Sequence, residues 1–146
     1  MKSLEQLTIE VAEFLGVEPL EIEFDNIDDD SRLCIKEEKI IINEKYKGDF
    51  LECAKCITHE MRHVFQLFYV ELFDDDTSRR WKKELAVAVN SSNINDDGSN
   101  YFTKEIEIDA FAFTKYYLEH HYNIKAPSKI SGLDMILDAY IDKNYL

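Results

Sequence analysis

Basic residues are scarce in this chain: 17 Lys and Arg stand against 30 Asp and Glu, a net charge of −13. A phosphate-backbone partner needs a positive surface, so nucleic acid binding is excluded as a working function. Long hydrophobic runs are missing too. The first sixteen residues alternate charged and apolar side chains, with neither a secretory apolar core nor a span of membrane-crossing length, and no later segment has one. The expectation is an unexported protein with no membrane partner. Cysteine is both rare and odd in number, with three residues. Cys53 and Cys56, three apart, suit neither a disulfide framework nor a structural zinc loop, which points to reduced thiols and a cytoplasmic location. There is no internal repeat or low-complexity tract. The Asp28-Asp29-Asp30 and Asp74-Asp75-Asp76 runs lack the ligand alternation and Gly of a calcium loop and read as solvated turns.

What is present is a motif, His59-Glu60-Met61-Arg62-His63, inside an apolar stretch from Asp49 to Phe73. With four histidines, a random chain of this composition would contain H-E-x-x-H on the order of once in a hundred sequences. Histidines four apart share one face of a helix and can hold one Zn²⁺, while the intervening Glu can take a proton from water. At 100° per residue from His59, His63 falls at about 40°, Cys56 about 60°, Glu60 about 100° and Gln66 about 340°. Phe50, Ile57, Met61, Val64, Phe65, Phe68 and Leu72 form an apolar stripe on the opposite side. Asp49 with Glu52 gives the helix an N-cap near residue 50. Cys56 could sit near the histidines or compete for metal, and Arg62 reads as half of a structural ion pair.

Around this helix the spacing predicts an α+β arrangement in a single domain, residues 1–146. A first helix covers 3–15, with Ser3 and Gln6 as a capping box and Gly16 as its stop. Leu20 to Asp25 alternates as a strand, and Leu33–Lys36 and Lys39–Asn43 follow as two strands joined by a Glu37-Glu38 turn, giving a small antiparallel sheet. Trp81 to Val89 suggests a short helix with a core Trp, 91–100 a polar loop, 103–121 a buried helix capped by Thr103, and Pro127 onward a final amphipathic helix.

A catalytic zinc usually takes three protein ligands, and the buried helix offers Glu105, Glu107 and Asp109. Setting Glu105 at zero places Asp109 at about 40° and Glu107 at about 200°. Only Glu105 and Asp109 can serve together as a ligand and a carboxylate behind a ligating histidine, so Glu105 is the expected third ligand and Glu107 the lesser alternative.

These residues resemble the gluzincin metallopeptidases, whose second helix carries Glu-x-x-Ala-Asp or a close variant, here Glu105-x-x-Ile108-Asp109. The order of helix, small sheet and H-E-x-x-H helix is similar to short single-domain proteins of the ImmA/IrrE type. The resemblance implies a zincin-like fold, zinc held by His59, His63 and Glu105, Glu60 as general base and acid, Asp109 behind a histidine, and a protein or peptide substrate such as a regulator. The chain departs from the usual H-E-L-G-H in carrying Met61 and Arg62. Two further expectations concern substrate handling. Lys39 to Asn43, as an exposed edge strand, would pair with an extended peptide, and Tyr101, about one turn before Glu105, would stabilise the oxyanion. The competing class is a zinc-binding regulatory or interaction module with little hydrolytic activity.

Overall fold

The computed structural model describes residues 3–90, 104–128 and 132–145. Helix α1 (Leu4–Leu15) begins with the expected capping box, in which Ser3 Oγ accepts from the Gln6 N–H and the Gln6 side chain from the Ser3 N–H. It ends at Gly16, whose left-handed φ of 75° a side chain would strain.

Three strands follow, β1 (Glu21–Asp25), β2 (Ser31–Cys34) and β3 (Lys39–Asn43), in the order β1-β3-β2. The β2–β3 pair is the expected antiparallel hairpin, with β2 two residues earlier than Leu33–Lys36 and the turn widened to residues 35–38, but β1 runs parallel to β3, so the sheet is mixed. The cause is the 26–30 crossover. Asn43 at the end of β3 donates to the carbonyls of Ile27 and Asp29 (2.8 and 3.0 Å), pinning that segment across the end of the sheet so that β3 enters between the other two. This corrects the expectation that Lys39 to Asn43 is an exposed edge: β3 is the central strand, with Ile40 and Ile42 fully buried in the core and Ile41 half-buried on the other face. The strand edges belong to β1 and β2.

After a short 3-10 turn, helix α2 (Phe50–Leu72) starts where Asp49 accepts the Glu52 N–H. Helix α3 (Asp76–Asn90) begins earlier than Trp81 because Asp75 accepts the Ser78 N–H and organises the first turn. Helix α4 (Glu105–His121) has its first two amides capped from outside, the Glu105 and Ile106 N–H groups donating to the Glu84 carboxylate of α3 (3.1 and 2.9 Å). Helix α5 (Leu133–Asn144) starts after the left-handed Gly132, later than Pro127 suggests. The predicted 91–100 loop and the Thr103 cap lie outside the described residues.

The main core joins α1, the sheet, α2 and α4 through Leu7, Val11, Ile40, Ile57, Met61 and Phe113. Leu133, Leu137 and Ile141 bind α5 to Ala112 of α4, while Trp81 and Leu85 of α3 pack on Ile106. Trp81 is therefore core, as its sequence context suggests. Among the described residues no helix is long and apolar enough to cross a membrane.

Candidate metal centre

Helix α2 is packed against the sheet and α1 on one side and against α4 on the other, so its polar face is enclosed rather than open. His59, Glu60, His63 and Gln66 are all buried, and so is Glu107 of α4. Three of these side chains converge. The Nε2 atoms of His59 and His63 are 3.2 Å apart, and Glu107 Oε1 lies 2.6 Å from His63 Nε2 and 3.6 Å from His59 Nε2. Donors about 2.0–2.1 Å from a tetrahedral ion stand about 3.3 Å apart, so the spacing fits a single small cation with modest adjustment.

The chemistry of the set makes the same demand. Two imidazole nitrogens and a carboxylate oxygen are electron-pair donors, and holding them this close in a dry interior requires a positive charge between them. Glu107 Oε2 and His59 Nδ1 are also buried with no hydrogen-bond partner among the described residues. In the metal-free chain a proton supplies the charge. Burial opposes a charged His63, but the adjacent Glu107 carboxylate outweighs it and lifts the imidazole to about 9. Burial likewise opposes a charged Glu107, and the facing His63 and His59 rings hold it well below the usual carboxylate range. A buried His-His-Glu group able to hold a metal ion is thus present.

Glu105 is not part of it. Standing first in α4, half-buried, it binds Arg80 of α3 at 3.1 Å. The structure brings Glu107 to the histidines instead, because the side of α4 facing α2 carries Glu107, Ala110 and Thr114, with Thr114 hydrogen-bonded to Thr58 of α2. Asp109 is buried as expected but does not touch a histidine. Arg62 donates to both its oxygens (2.7 and 3.1 Å), and Gln66, Tyr140 and Tyr145 donate as well. Arg62 is thereby the structural ion pair its position suggests. The group behind His63 is Gln66, 2.8 Å from Nδ1. A sequence signal for Glu107 existed. Its side of the helix continues with Ala110, Phe111, Thr114 and Leu118, whereas Glu105 shares a side with Asp109, Tyr116, Glu119 and His120 as well as Ala112 and Phe113, so the signal is weak.

Glu60 stays next to the cluster, its Oε2 accepting from Ser31 Oγ on β2 at 2.7 Å. Cys56 does not join the metal group. Its thiol faces the Asp30 carbonyl, and burial pushes it up to about 12, so it remains protonated. His120 and His121 are exposed, and Tyr101 lies outside the described residues. Comparison of the chain with protein-family models, with curated proteins and with solved structures gave no match.

Proposed function

We propose that this chain is a zinc-dependent metallopeptidase in which His59, His63 and Glu107 hold the metal and Glu60 is the general base. The observation that carries the reading is the convergence of three electron-pair donors in one buried cradle, with a carboxylate one residue from the first of them. Two imidazoles and one carboxylate suit Zn²⁺, leave a coordination position open, and match the gluzincin-like ligand chemistry with Glu107 in place of Glu105. Zinc, when bound, supplies a Lewis acid that acidifies water and polarises a carbonyl.

The remaining chemistry belongs to the chain. Ser31 donates to one oxygen of Glu60, which fixes the orientation of the carboxylate beside the histidines. From there Glu60 takes a proton from the attacking water and returns it to the departing amine. Because Ser31 belongs to β2, an edge strand, the outer side of β2 is the place where an extended peptide would pair beside Glu60. This reading transfers the substrate-pairing role from β3 to β2. Free cysteines at 34, 53 and 56 accord with a reducing cytoplasm.

One observation favours the second reading, a metal-holding regulatory module that hydrolyses little. His59 is 7% exposed, and Glu60, His63 and Glu107 are fully buried, so a peptide reaches the site only if the enclosure opens. Glu60→Gln separates the two, assayed with zinc content on a panel of unfolded protein substrates. Cleavage by the wild type that vanishes in the variant while zinc is retained supports the peptidase. Cleavage that survives Glu60→Gln excludes Glu60 as the base, and a zinc-loaded wild type without cleavage leaves the binding module.

A further inference from the structure

The amide of Gln66 is fully buried and saturated. Its Nε2 lies 2.9 Å from the Ile106 carbonyl and 2.8 Å from Asp109 Oδ2, and both of those oxygens can only accept. Asp109 is held as an ionised acceptor by Arg62, Tyr140 and Tyr145, all of which donate to it. Turning the amide over would set its oxygen against two acceptors. The orientation is therefore dictated by the network, and Gln66 Oε1 must face His63 Nδ1 as an acceptor. It follows that Nδ1 carries a proton and that Nε2 is the nitrogen presented to His59 and Glu107.

We propose that Gln66 is the positioning residue of the metal site, setting the ring angle and tautomer of His63 under the control of the Arg62–Asp109 pair, Tyr140 of α5 and Tyr145 just past its end. The inference deepens the zinc reading and rests on it for its consequence, though not for its geometry. Loading the site requires His63 to give up one proton, and with Nδ1–H held by Gln66 that proton leaves from Nε2; without that bond the neutral ring would spend part of its time with its remaining proton on the ligating nitrogen. Outer groups that lock a ligand histidine are worth about 10–100-fold in metal affinity. The polarity of the chain also runs one way: cationic and phenolic donors feed Asp109, Asp109 and the Ile106 carbonyl fix Gln66, and Gln66 fixes His63. The far end of this relay lines a separate cleft of about 660 Å³ containing Arg62, Asp109, Tyr140 and Tyr145, so the site is braced from the side opposite Glu107.

The test uses the full chain, ¹⁵N-labelled at histidine, with and without zinc. Long-range ¹H–¹⁵N correlations on the wild type should show a slowly exchanging proton on His63 Nδ1 in both states and zinc on Nε2. In Gln66→Met that proton should lose its protection, and zinc affinity, read by chelator competition, should fall by about 10–100-fold. A wild-type His63 that binds zinc through Nδ1, or whose Nδ1 proton exchanges freely, overturns the proposal without needing any variant. So does a folded Gln66→Met that binds zinc as tightly as the wild type. Failure of the metal reading looks different: no zinc on the wild type, with the protected Nδ1 proton still in place.

Discussion

The middle and the C-terminal end of α2 reverse the usual distribution of polar and apolar surface. In its middle, His63, Gln66 and Glu60 are fully buried, whereas at its C-terminal end Phe68 and Leu72 are 50% and 61% exposed. Both regions belong to one amphipathic helix, and the apolar stripe continues along its whole length. What differs is the partner. Between residues 53 and 66 the helix has the sheet and α1 on one side and α4 on the other, so even its polar face is enclosed; beyond Gln66 the stripe outruns α1 and the sheet. Burying polar and charged groups together costs free energy that partners offset, and here His63 pairs with Glu107, Glu60 with Ser31, and Gln66 with Asp109. An exposed phenylalanine carries no such requirement.

The largest effects should therefore come from the enclosed region. Arg62→Met leaves Asp109 buried without its cation, which should cost about 3–5 kcal/mol in a urea titration of the metal-free chain. The same pair predicts an acid response. Burial opposes the charged form of Asp109, but Arg62 holds its folded pKa below the 3.8 of an unperturbed Asp. The stability this contributes is complete above about pH 4 and is lost as pH falls through the lower folded value. Arg62→Met should therefore unfold at higher pH than the wild type in an acid titration followed by circular dichroism; coincident acid transitions would remove Asp109 from the account.

Next in size is the comparison within α4. Glu107→Gln should weaken zinc binding by more than about 100-fold, beyond what outer-sphere changes produce, while Glu105→Gln should leave zinc per chain unchanged. Elemental analysis after dialysis reads both. The opposite pattern would return the ligand role to Glu105. Binding should also appear as stability: zinc at about a thousand times its Kd stabilises the folded chain by about 4 kcal/mol, or roughly 10 °C in Tm, and Glu107→Gln should cut that gain to about 1.4 kcal/mol or less at the same zinc concentration.

Much of this enclosed region was legible beforehand because it depends on local rules. Ser3 with Gln6, Gly16, and Asp49 with Glu52 specify helix ends through neighbours three or four residues away. His59 and His63 likewise announce themselves by spacing. The choice between Glu105 and Glu107 is different, because it depends on which side of α4 meets α2, a tertiary fact that helical angles within one element do not contain. The pairing of Glu105 with Asp109 presumed that a carboxylate must stand behind a histidine. Gln66, on the same helix as His63, already fills that place, so Asp109 stands one step further back. The strand order was hidden for a similar reason: three isoleucines in β3 read equally as an edge or a centre, and only the Asn43 contacts to the crossover decide it.

The smallest effect belongs to the exposed end of α2, and it sharpens the contrast. Phe68→Ser and Leu72→Ser remove apolar surface that the fold leaves half in water, so each should change stability by no more than about 0.5 kcal/mol and leave zinc binding untouched. Urea titrations with zinc competition on the same samples measure both quantities. A loss of several kcal/mol at either position would mean that the stripe is covered in solution and that α2 is buried along its full length. The reversal would then disappear, and the polar middle of the helix would be one enclosed segment of a wholly buried element. Small effects at Phe68 and Leu72 beside large ones at Arg62 and Glu107 would place the energetic weight of α2 on its polar residues, where the metal chemistry also lies.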